Sequence, residues 1–108
     1  MGVPVSFVRD DGAAGSAIVV NFGVLTGREA TQAEVDRLGR QLLRSLPHVS
    51  VSACRRHELA DGHESIIDQV VVEGVDPAVA VDLVAVCDAW ATDCAAERRL
   101  EPLDRPGH

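Results

Sequence analysis

Hydrophobic and polar positions alternate along this chain with periods that change at recognisable breaks. Val3, Val5 and Phe7 alternate loosely as far as Arg9, which fits a weak first strand or an ordered arm, and Asp10 to Gly15 reads as a turn. From Ser16 to Thr26 the alternation is sustained. Ile18, Val20, Phe22 and Val24 fall on one side, and Val19, Asn21, Gly23 and Leu25 on the other. Period two predicts a strand over the whole of 16–26, broken by Gly27. Thr31-Gln32-Ala33-Glu34 is a capping-box signature, in which the threonine oxygen and the glutamate carboxylate each accept from a backbone N–H left free at a helix start. Val35, Leu38, Leu42 and Leu46 follow at helical spacing, with Arg37, Arg40 and Arg44 on the opposite side, and Pro47 ends the helix.

Two further strands, 49–58 and 64–75, flank Asp61-Gly62, a dipeptide that favours a two-residue hairpin turn. Counting outward from it sets Ala60 opposite His63, Arg56 opposite Ile67, Arg55 opposite Asp68, Ala53 opposite Val70 and Val51 opposite Val72. That register pairs apolar with apolar on one face and gives Arg55 an opposite charge. Asp76-Pro77 opens a second helix, with aspartate as the cap and proline at the first helical position. It runs to about Arg99 on a core stripe of Leu83, Cys87, Trp90 and Cys94. Residues 1–100 thus read as a single α+β domain, and residues 101–108 as a loose tail. The order (β)βαββα predicts a mostly antiparallel sheet with both helices on one face. In element order alone it resembles a ferredoxin-like βαββα core whose last strand is missing or replaced, a fold that hosts many functions and assigns none.

Composition narrows the class. The 108 residues are 46% hydrophobic and 25% charged, as in a globular domain, and with two Phe, one Trp and no Tyr the core must be aliphatic. A net charge of -7 disfavours nucleic acid and anionic membrane surfaces as partners. Every basic side chain apart from histidine is Arg. With the abundant Ala and Val this points to a GC-rich bacterial genome, and the lack of lysine excludes Schiff-base and P-loop chemistry. Neither a signal peptide nor a membrane span is predicted, since apolar runs fall far short of about 18 residues. Three cysteines without a Cys-x-x-Cys make no disulfide framework, which suits a reducing cytoplasm.

Several candidate sites compete. Between Ala78 and Ala96 the polar side chains of the second helix are Asp82, Asp88, Thr92 and Asp93, so Val81, Ala85, Ala89 and Ala96 lie away from the core stripe. A helix apolar almost all round is normally covered on both sides. The plainer reading is that alanine is simply a good helix former. The open sheet face is a rival, showing Val19, Leu25, Cys54, Ile67 and Val71 among Ser50, Ser52, Asn21 and Gln69. At the hairpin end Arg55, Arg56, His57, Glu58, Asp61, His63 and Glu64 form a polar cluster suited to a ligand, a metal or acid–base work. The predicted register sets His57 and His63 on opposite faces, however, which argues for a solvated tip that deters aggregation.

Cys87 and Cys94 stand about 10.5 Å apart along one helix, beyond disulfide reach, and read as small buried hydrophobes. Cys54, two residues before Arg56, is a candidate reactive thiol without a clear base. The arginine row 37, 40 and 44 reads as a solvated face in which Asp36 can pair with Arg40. Gly23 and Gly27 before a helix are a weak phosphate signal. No catalytic set, zinc spacing or dinucleotide fingerprint appears, so no cofactor, metal or catalytic residue is implied. The sequence therefore favours a non-catalytic interaction module that self-associates or joins another protein. The alternative is a small enzyme or ligand-binding domain using Arg55, Arg56, His57 and Glu58.

Overall fold

A computed structural model of the chain describes residues 5–100, the last three by backbone alone, so the tail expected over 101–108 lies outside the described residues. Strands β1 (Ser6–Asp10), β2 (Ser16–Val20), β3 (Ser50–Ala60) and β4 (His63–Val75) form one antiparallel sheet in the order β1-β2-β4-β3. Helices α1 (Phe22–Thr26) and α2 (Gln32–Leu42) connect β2 to β3, and α3 (Pro77–Leu100) follows β4. The fold is α+β and ferredoxin-like in strand and helix order. The edge place beside β2 that a last strand would take is filled from the N-terminal side by β1.

The hairpin register counted from Asp61-Gly62 is the one observed, pair for pair, from Ala60↔His63 to Val51↔Val72. Asp61 at φ 54 and Gly62 at φ 76 both occupy the left-handed region, the backbone that a type I′ turn demands. At the far end of β4, Gly74 at φ 70 accompanies a register shift against β2, as a bulge requires.

One expected element is corrected. The strand predicted over 16–26 stops at Val20, and Phe22–Thr26 is a short helix, closed by Gly27 at φ 76 with its N–H on the Gly23 carbonyl at 2.8 Å. The alternation of Phe22 and Val24 therefore does not report a sheet. Phe22 turns inward beneath α3, its ring 5.2 Å from that of Trp90, while Val24 is exposed. Burial of the largest side chains overrides local period here.

The core lies between the sheet and the helices. Ile18, Val20, Val70 and Val72 meet Leu83, Cys87, Trp90 and Cys94 of α3 and Leu38 and Leu42 of α2, all buried, so both predicted helix stripes face inward. Asp76 caps α3 through its Oδ1, which accepts the Ala78 N–H at 2.9 Å. The capping box at Thr31 and Glu34 is present in both halves.

Glu34 does more than cap α2. Its two carboxylate oxygens accept from Arg28 Nη1 and Nη2 at 2.8 and 2.7 Å, and Oε1 also accepts the Thr31 N–H. The Glu34 carbonyl accepts from Trp90 Nε1 at 2.9 Å, tying the start of α2 to the middle of α3. The Arg28 guanidinium above all, helped by Thr31 and opposed by burial, lowers the carboxyl from 4.5 to about 2. A folded value below the unfolded one means that this stabilisation is complete above pH 4.5 and drains away as pH falls toward 2. Discounted for solvent screening it amounts to about 1–2 kcal/mol. Glu34→Gln is therefore expected to lose that much at neutral pH and to match the parent near pH 2. Urea unfolding at a series of pH values reads this directly, and a constant gap down to low pH would refute it.

Candidate functional site

Two surfaces carry the residues that the sequence singles out. The first is the β3–β4 hairpin. β2 reaches β4 only from Val70 onward, so the pairs from Cys54↔Gln69 to Ala60↔His63 form a two-stranded ribbon projecting about 20 Å past the β2 pairing. An isolated ribbon of this kind is marginal in water. Here α1 supports its base, because Gly23 packs so closely on Asp68 that a Cβ there would lie 3.0 Å from the Asp68 Cβ and backbone nitrogen.

Side chains on the ribbon divide by face. Arg55 and His57 stand on the side that continues the helix-covered face. Arg55 Nε is 2.9 Å from Asp68 Oδ1, the opposite charge expected from the register, and His57 Nδ1 is 2.8 Å from Glu64 Oε2. Arg56 and Glu58 stand on the other face, paired to each other at 3.1 Å. The four candidate ligand residues thus do not converge on one point. His57 and His63 lie on opposite faces by register, as expected. Among the described residues no three His, Cys, Asp or Glu side chains gather as a metal set. The ribbon also exposes apolar side chains, Ile66 and Leu59, the latter 79% exposed.

The open sheet face is more enclosed than its sequence suggests. Leu25 belongs to α1, and Val19 and Val71 are only 2% and 7% exposed. They occupy the middle of a cross-strand row running Phe7, Val19, Val71, Ser52, so neighbours on both sides hem them in. Ile67 is half-buried and Cys54 exposed. Beside the row lies a hollow of about 190 Å³ lined by Phe7, Asn21, Arg56, Glu58, Ile67 and Gln69. Gln69 is 7% exposed, and its amide N–H donates to Asn21 Oδ1 at 2.7 Å. This buried amide pair went unrecognised in the sequence, where an Asn at a predicted mid-strand position and a Gln across the sheet give no signal of meeting.

The second surface is the outer side of α3. Val81, Ala85, Ala89 and Ala96 are all exposed, Val81 at 68%, while Leu83, Cys87, Trp90 and Cys94 on the opposite side are sealed. Burial drives the Cys87 thiol up to about 12 and the Cys94 thiol up to about 11, so both stay protonated and inert as small core residues. The arginine row of α2 is not merely solvated. Arg37 reaches α3, pairing with Glu97 at 3.0 Å and donating from Nη2 to Cys94 Sγ at 3.2 Å. Asp36 accepts from Gln32 Nε2 at 2.8 Å, a different partner from the Arg40 expected.

Among the described residues no helix is long and apolar enough to cross a membrane. No family model matches the chain, and no curated protein or solved structure is significantly similar to it.

Proposed function

We propose that the protein is a non-catalytic interaction module, a small cytoplasmic α+β protein that self-associates or serves as a subunit of a larger assembly. The outer row of α3 carries this reading. A helix of 24 residues that is sealed on one side and still presents Val81, Ala85, Ala89 and Ala96 on the other has apolar surface in excess of what its own domain buries. Side chains this small let a second backbone approach closely. A second reading, a ligand-binding domain or small enzyme, draws on the open-face hollow, where Gln69, Arg56 and Glu58 supply polar groups beside Phe7 and Ile67.

Light scattering on the purified protein at micromolar concentration tests the first reading. The expected mass is at least twice the 11.5 kDa of one chain. A steady 11.5 kDa across that range would end the self-association version. Native purification from the source organism then separates what remains. A co-purifying protein supports the subunit role, and a retained small molecule supports the second reading.

A further inference from the structure

The free edge of β3 is the part of the sheet most open to another strand. β3 closes the sheet on one side, runs from Ser50 to Ala60, holds no proline and keeps an unbroken register with β4. Edge strands are usually blunted by charges, a proline, a bulge or a cover, and among the described residues β3 has only the charges. The two-residue turn fixes which backbone groups are free. Ala60 and His63 flank it as a hydrogen-bonded pair, so even-numbered residues of β3 bond inward to β4. Arg55, His57 and Leu59 direct their N–H and C=O groups outward.

We propose that β3 pairs antiparallel with β3 of a second copy, about a two-fold axis at His57. This rests on the interaction-module reading above and names its partner. Charge selects the register. An axis at Arg55 or Arg56 sets guanidinium against guanidinium, and one at Glu58 sets carboxylate against carboxylate. An axis at Cys54 places every charge opposite a neutral residue. At His57, Arg56 of each copy faces Glu58 of the other, twice, in non-hydrogen-bonded pairs where Cα atoms approach to about 4.5 Å. Both side chains are half-exposed and already paired within the strand at 3.1 Å, so the seam exchanges two internal ion pairs, one per copy, for two crossed ones. The outward groups of Arg55, His57 and Leu59 find those of Leu59, His57 and Arg55 in the second copy. Two four-stranded sheets become one continuous sheet, and exposed Leu59 lies along the aliphatic stem of Arg55 across the seam.

Charge reversal on the full chain, read as mass by sedimentation, tests the seam. Glu58→Arg places arginine against arginine and is expected to weaken the dimer about tenfold or more. Arg56→Glu combined with Glu58→Arg recreates the crossed pairs and restores it. Ala60→Cys sets a thiol opposite Cys54 of the second copy, in a pair close enough for a disulfide under mild oxidation. Circular dichroism confirms that each variant folds. If the parent is a dimer and folded Glu58→Arg remains equally dimeric, pairing through β3 is overturned while the interaction-module reading stands. If the parent is a monomer throughout, pairing through β3 and the self-association version fall together, and the subunit version stands.

Discussion

Trp90→Ala is expected to lower the free energy of unfolding by about 3–5 kcal/mol, the largest effect of any single truncation in this chain. Trp90 is the sole tryptophan, fully buried, and sits where α3 crosses the start of α2 and the short α1. Removing the indole takes away three things together. The apolar area that fills the space between Ile18, Val20 and α2 is lost, and a cavity replaces it. The ring contact with Phe22 goes. The Glu34 carbonyl loses its donor on the α3 side. Against a typical domain stability of about 5–15 kcal/mol, the variant is expected to unfold at much lower urea. Circular dichroism follows the transition, since the fluorescent reporter is gone. A loss under about 1 kcal/mol would mean that the helices are not held by this residue.

Gly23→Val should be the next most damaging change, at about 3 kcal/mol, and for a steric reason rather than a conformational one. The Cβ of any residue at 23 would press on the Asp68 Cβ and nitrogen at 3.0 Å and on its carbonyl oxygen at 3.2 Å. Backbone of β4 cannot yield as a flexible side-chain tip could, so α1 must lift or the ribbon must tilt. Because Asp68 is the ion-pair partner of Arg55, the disturbance passes directly to the hairpin. Hydrogen exchange should show the amides of 54–69 opening more readily while those of β2 lose less protection. Uniform loosening of the whole domain, or none, would show that α1 does not brace the arm.

Much of this architecture was legible because single residues decided it. Asp61-Gly62 sets a turn that accepts two positive φ values, and everything in the hairpin register counts from there. Thr31 with Glu34, and Asp76 with Pro77, mark helix starts by hydrogen-bond chemistry that acts within a few residues. What misled was period. Phe22 and Val24 continue the alternation of Ile18 and Val20, yet their backbone turns helical because Phe22 packs against Trp90, a partner distant in sequence. Neither the burial of Val19 and Val71 nor the meeting of Asn21 with Gln69 could be read locally, since each follows from which strands become neighbours. The outer row of α3 was legible in full, because a long helix keeps its angular spacing whatever surrounds it.

The strand and helix order also schedules events on the ribosome. All four strands are synthesised, through Val75, before the part of α3 that seals their aliphatic face. The β1–β2 and β3–β4 hairpins close locally and fast, and β2 and β4 then join across a long loop. Until Leu83, Cys87 and Trp90 emerge, only α2 can cover the inner face of Ile18, Val20, Val70 and Val72, and the part that α3 seals stays bare. A chain that lacked α3 would keep that part of the sheet exposed and adhesive, and the docking of α3 ends the exposure.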